Sequence, residues 1–112
     1  RASINGNVQA EGARLVEVSG GSVGGSVQLK QGGSATVASV RIEGDLQLEE
    51  NRGALSAAGN VIGGNLQATQ NRGGLEVRGN TIDGNLQCKE NRPAPTGGGN
   101  RASSREDQCA RL

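Results

Sequence analysis

Apolar and polar residues alternate along this chain in short runs, and the runs recur. In "IGGNLQA", which begins at Ile62, the side chains of Ile62, Gly64, Leu66 and Ala68 share one side of an extended strand, and Gly63, Asn65 and Gln67 share the other. In "LEVRG", Leu75, Val77 and Gly79 point one way and Glu76 and Arg78 the opposite way. The pattern predicts two half-buried strands per repeat, separated by "TQNRGG" and "GN", both rich in residues that tolerate turns and positive φ. No segment carries the i, i+3, i+4, i+7 spacing of an amphipathic helix.

Aligned on Gly and Gln, the runs are "INGNVQA", "VGGSVQL", "IEGDLQL", "IGGNLQA" and "IDGNLQC", beginning at Ile4, Val23, Ile42, Ile62 and Ile82, with spacings of 19, 19, 20 and 20 residues. A second apolar pair follows in each of the first four units: Val16/Val18, Ala35/Val37, Leu55/Ala57 and Leu75/Val77. Pro95 and Gly97 stand there in the fifth. A unit of this length cannot bury its own apolar edge, but successive units can coil so that equivalent strands stack at roughly 4.8 Å. The expected fold is therefore all-β: a single-domain parallel β-solenoid, or β-helix, with right-handedness the default for parallel crossovers. About five coils start near residues 3, 22, 41, 61 and 81 and occupy 1–100. Residues 101–112 are expected to form an irregular C-terminal cap.

Stacking places like residues above one another. Ile4, Val23, Ile42, Ile62 and Ile82 form one inward column, Val8, Val27, Leu46, Leu66 and Leu86 a second, and Ala10, Leu29, Leu48, Ala68 and Cys88 a third. Gly6, Gly25, Gly44, Gly64 and Gly84 are expected to point inward at a corner too tight for a side chain. Outward ladders are expected from Gln9, Gln28, Gln47, Gln67 and Gln87, and from Asn51, Asn71 and Asn91 in a turn, their amides bonding in columns as in other stacked parallel sheets. These ladders read first as structural; the competing reading is a flat contact face. Arg52, Arg72 and Arg92 also stack, beside Glu50, Gln70 and Glu90, as a solvated charged edge or an anion-binding stripe.

Composition changes the picture in one respect. The 112 residues include 20 Gly and no Phe, Tyr, Trp, Met or His, so the core must come from small aliphatic contacts in a regular lattice. The formal net charge is +1, with basic residues dispersed, which points away from nucleic acid and membrane insertion as partners. No apolar run reaches membrane-spanning length. The opening residues "RASINGNVQA" lack a signal-peptide pattern, so a leader has been removed or never existed. No cofactor, metal site or catalytic constellation is expected: there is no His, and the acidic residues lie on turns and outward positions.

Cys109 lies 21 residues after Cys88, about one coil on. If the chain after Asn100 makes one more irregular coil, Cys109 lands near the position above Cys88, within the separation a disulfide accepts. The alternatives are two unpaired thiols or a metal site, for which two Cys without His supply too few ligands. A bond would imply an oxidising compartment. The stretch "NLQCKENRPAPTGGGN" followed by "EDQC" resembles the C-terminal signature of uncharacterised secreted bacterial β-solenoid proteins, closely over residues 85 to 109. The resemblance implies export, a bacterial source and a Cys88–Cys109 bridge, and supplies no catalytic or binding residues. "RASSR", Arg101 to Arg105, departs from that pattern.

The function expected from these features is structural: a secreted subunit of an extracellular filament or surface matrix, formed by end-to-end stacking. Self is the expected partner. The candidate joint runs from the first coil, with Ile4, Val8, Val16 and Val18, to the C-terminal coil, with Ile82, Leu86 and the bridged tail. A discrete binding module or adhesin using the Gln and Asn columns is the alternative, and an enzyme ranks behind both.

Overall fold

The computed structural model describes residues 3–4, 6–12, 14–92 and 95–109. Alternating inward and outward side chains build a parallel β-solenoid with three sides rather than two. The first sheet stacks Ser3–Ile4, Ser22–Val23, Arg41–Ile42, Val61–Ile62 and Thr81–Ile82. The second stacks Val8–Glu11, Val27–Lys30, Leu46–Glu49, Leu66–Thr69, Asn85–Lys89 and Ser104–Asp107, and the third Leu15–Ser19, Ser34–Ala38, Leu55–Ala58, Leu75–Arg78 and Thr96–Gly98. Every pairing within the three sheets is parallel and joins one coil to the next.

The third side corrects the expected two strands per repeat. "IGGNLQA" is not one straight strand: Val61–Ile62 ends, the chain bends through Gly63 and Gly64, and Leu66–Thr69 begins on a new face. Ile62 and Leu66 both point inward in a straight strand and in a bent one, so alternation alone does not separate the two cases.

The glycine column marks this bend, for a reason other than a crowded interior. A Cβ on Gly64 would meet the Asp45 side chain of the coil before, and at Gly84 it would meet Asn65. Those side chains occupy the space because they accept the next backbone N–H: Asn65 N donates to Asp45 Oδ1 at 2.7 Å and Asn85 N to Asn65 Oδ1 at 2.7 Å. Asn7 and Ser26 do the same for the N–H groups of Ser26 and Asp45. Glycine therefore vacates room for a capping side chain from the neighbouring coil.

The apolar columns stack in the anticipated register. Ile42, Ile62 and Ile82 are direct partners, as are Leu46, Leu66 and Leu86, and Leu48, Ala68 and Cys88. All are buried, and they merge with Val23, Val27, Leu29, Val37, Leu55, Leu75 and Val77 into one continuous core. Each fully buried Leu, Ile or Val contributes about 1.5–3 kcal/mol. The first coil is less protected, with Ile4, Val8, Ala10, Val16 and Val18 only half-buried against that core.

Beyond Asn100 the chain is more regular than expected. Arg101 bridges Thr81, and Ser104–Asp107 add a sixth rung to the second sheet, with Arg105 above Leu86 and Glu106 above Gln87.

Candidate functional site: polar columns, corner groove and two ends

Each of the three corners carries its own vertical column of polar side chains. At the corner between second and third sheets stand Asn51, Asn71 and Asn91, and at the corner between third and first stand Asn60, Asn80 and Asn100. Both sets are buried, with exposures of 5% or less. The outward placement expected for Asn51, Asn71 and Asn91 is thus corrected: their amides turn into the coil because backbone groups there need partners. Asn71 shows the pattern. Its Nδ2 donates to Leu48 O of the coil before (2.9 Å) and to Asn91 Oδ1 of the coil after (2.8 Å). Its Oδ1 accepts from Asn51 N (3.1 Å) and from Asn51 Nδ2 (3.0 Å). One side chain ties three coils together and uses all four of its bonding positions.

The Asn60 column repeats this arrangement. Asn60 Nδ2 donates to Val37 O and Asn80 Oδ1, and Asn60 Oδ1 accepts from Val40 N. Asn80 does the same between Ala57 O and Asn100 Oδ1. This second column was not anticipated. Its signal was present in "GN" at Gly59-Asn60, Gly79-Asn80 and Gly99-Asn100, on a twenty-residue beat, but the dipeptide reads locally as a turn. Among the described residues, every buried side-chain nitrogen and oxygen has a hydrogen-bond partner.

The glutamine column runs up the outside of the second sheet, as expected for Gln9, Gln28, Gln47, Gln67 and Gln87. Each Nε2 donates to the Oε1 of the next coil at 3.1, 2.9, 3.2 and 3.2 Å in order. All the amides point the same way, which lets the bonds polarise one another. The column ends on a charge: Gln87 Nε2 donates to Glu106 Oε1 at 2.9 Å, a charge-assisted terminus at the donor end of the ladder. The Asn51 column closes similarly on Gln108, whose Oε1 accepts from Asn91 N at 2.8 Å and Asn91 Nδ2 at 3.1 Å. Its Nε2 returns a bond to Asn91 O at 2.9 Å.

The disulfide fastens this closure. Cys88 and Cys109 are bonded, with Cα atoms 5.3 Å apart and both side chains fully buried. Asp107, not Cys109, stands directly above Cys88. A turn then brings Cys109 back, its N–H donating to Glu106 O at 3.1 Å. Residues 106 to 109 thus form a lock in which Glu106 and Gln108 each end one amide column and Cys109 secures the segment covalently.

The two ends consequently differ. Ile82 and Leu86, expected with the bridged tail at the joint, are 3% and 0% exposed, because Arg101 bridges Thr81 and its carbonyl accepts from Ile82 N and Arg105 stands above Leu86, which corrects their placement. Ile4, Val8, Val16 and Val18 do lie on the end coil, half-buried, and its three strands are bonded on one side only among the described residues. Leu15 beside them is 70% exposed.

The last feature is an open groove along the corner between second and third sheets, lined by Gln31, Glu50, Gln70 and Glu90 in one column and Arg52, Arg72 and Arg92 in the next. All seven are exposed. Among the described residues the one ion pair within 4 Å joins Arg78 to Glu76 at 3.0 Å, so the groove residues form none with one another. Among the described residues no group of three His, Cys, Asp or Glu is gathered as a metal site would require, and no helix is long and apolar enough to cross a membrane. Compared with known proteins, the chain matches no protein-family model, no curated protein and no solved structure.

Proposed function

We propose that this chain is a structural, self-associating β-solenoid of an extracellular assembly, exported and oxidised, which joins other copies by stacking coil on coil through its first-coil face. The observation that carries this reading is the difference between the ends. At one, Glu106, Gln108 and the Cys88–Cys109 bond terminate the columns. At the other, half-buried Ile4, Val8, Val16 and Val18 lie on strands paired on one side only among the described residues, and a coil in register, which we propose a second copy supplies, would complete both. The buried disulfide is compatible with an oxidising compartment. Because the other end is closed, a two-fold joint between first-coil faces, giving a dimer, is the arrangement this difference favours over a head-to-tail joint and an open filament. The binding-module reading has less support, because the glutamine amides are spent on one another.

The test is sedimentation velocity and negative-stain microscopy of the oxidised protein over a concentration series, beside Val16→Lys. Growth with concentration that the substitution abolishes is expected. Monomers alone at every concentration, or assembly indifferent to Val16→Lys, would remove the proposal.

A further inference from the structure

The corner groove has a property that neither a solvated edge nor a terminal joint explains. Read up the solenoid through the third, fourth and fifth coils, its first column is Glu50, Gln70, Glu90 and its second is Arg52, Arg72, Arg92. Over these three coils both read the same from either direction, and Gln31 extends the first column by one uncharged rung. A two-fold axis through the fourth coil, perpendicular to the stack, would set Arg52 against Glu90 of a second copy, Arg92 against Glu50 and Arg72 against Gln70. Each contact would occur twice, as an isologous interface requires.

A second observation bears on why these side chains are there. Gln31, Glu50, Gln70 and Glu90 all have left-handed backbone, with φ between 52 and 56°. That region is sterically unfavourable for residues with a Cβ and is glycine's usual place. The first coil uses Gly12 there, at φ 74°. The corner between third and first sheets also uses glycine, in Gly20, Gly59, Gly79 and Gly99, with Ser39 the exception. At the groove the chain instead holds long carboxylates and amides in the conformation that disfavours them, and among the described residues none forms an ion pair.

We infer that this groove is a lateral joint between two copies of the chain, charge-paired across a two-fold axis. A polyanion is the competing occupant of an arginine column. Glu50 and Glu90 oppose it, since two carboxylates sit among the three guanidinium groups, whereas the same two carboxylates are what a second copy's arginines require. The joint would be weak and salt-sensitive, because all its charges are exposed. It deepens the self-association proposed above by adding a side contact to an end contact, and the two fail separately: Val16→Lys should break the end joint and spare this one.

The decisive experiment is a charge swap read by sedimentation velocity at low and high salt. One variant carries Glu50→Arg with Glu90→Arg, the other Arg52→Glu with Arg92→Glu. Each alone should weaken low-salt lateral association by about tenfold or more through like-charge contact, and an equimolar mixture of the two should restore it. Melting curves of each variant should match the parent, since the altered side chains are solvent-exposed. Absence of a salt-sensitive species in the Val16→Lys background, unchanged association in either variant, or no recovery on mixing would each overturn the inference. Tighter retention of the first variant on a sulfated dextran column, with self-association unaltered, would overturn it in favour of a polyanion.

Discussion

Replacing Asn71 by Leu, a side chain of similar length, should destabilise the whole solenoid although it makes a buried position more apolar. In the native structure Asn71 Oδ1 is the acceptor for Asn51 N and for one Asn51 Nδ2 proton, and Asn71 Nδ2 serves Leu48 O and Asn91 Oδ1. After the substitution Asn91 Oδ1 still accepts from the backbone N–H of residue 71 (3.0 Å), and Asn51 Nδ2 still donates to Leu29 O. The Asn51 backbone N–H and one amide proton, both buried, are left without a partner, and Leu48 O loses one of its donors. At about 1–3 kcal/mol for each orphaned group, the loss centres near 4 kcal/mol. Burying the leucine side chain would offset roughly 1.5–3 kcal/mol of this. A net loss of about 1–2.5 kcal/mol is still a sizeable share of the roughly 5–15 kcal/mol typical of a folded domain.

The control is Gln67→Leu. Gln67 occupies an equally repetitive ladder, accepting from Gln47 Nε2 and donating to Gln87 Oε1, both at 3.2 Å, but on the outer face where water can replace either bond. Its loss should stay within about 0.5 kcal/mol, as for other surface substitutions. Equilibrium denaturation of the oxidised proteins, fitted for midpoint and slope, measures both. Equal costs at the two positions, or a loss under 1 kcal/mol at Asn71, would refute the premise that desolvation of the inner column, rather than ladder formation itself, holds the coils in register.

Other outcomes follow from the same geometry. Gly64→Ala should cost about 1–3 kcal/mol, because its Cβ would displace the Asp45 side chain that caps Asn65 N. Gly6→Ala, with nothing within 4 Å and no positive φ, should be neutral within about 0.5 kcal/mol; thermal melts separate the two. Reducing the Cys88–Cys109 bond, or replacing both residues by Ala, should cost up to about 3 kcal/mol on the loop-entropy model for a separation of 21. Hydrogen exchange should show the loosening concentrated at residues 104–109 and at Asn91, while the second to fourth coils keep their protection. Glu106→Lys should fray the same rung by setting an ammonium against the Gln87 amide donor, read as faster exchange there with little change in global midpoint.

How much of this was legible beforehand depends on whether a feature is local or repeated. The apolar columns were readable because inward residues recur at 19 or 20 residues, so a single alignment delivers the register found between Ile42, Ile62 and Ile82. The third side was not, because the four-residue step from Ile62 to Leu66 preserves parity whether or not the chain bends between them. The Gln column was also readable, since it lies on a strand whose outward face alternation identifies. Asn51, Asn71 and Asn91 misled for the opposite reason: an asparagine in a polar run such as "TQNRGG" signals a turn, and turns are ordinarily at the surface. What takes these amides inside is a set of partners about twenty residues away in both directions, which no local window contains.

The ends were misjudged on related grounds. Ile82 and Leu86 looked terminal because the apolar pattern stops after them, yet strand pairing needs backbone groups rather than repeated side chains. Ser104–Asp107 therefore add a rung carrying Arg105 where the column below holds Leu86. Ending the apolar pattern while continuing the hydrogen bonding is a physical way to close a solenoid: the sixth rung sets Arg105 where the rungs below it hold Leu or Val. Glu106 and Gln108 then supply acceptors for the last donors of their columns, and the disulfide keeps them there. The first coil has none of these devices among its described residues. The closure therefore works in one direction only: Glu106 and Gln108 supply acceptors to the donor ends of their columns, whereas the glutamine column turns its acceptor, Gln9 Oε1, to the first-coil side, where a carboxylate would oppose it and only a donor could complete it.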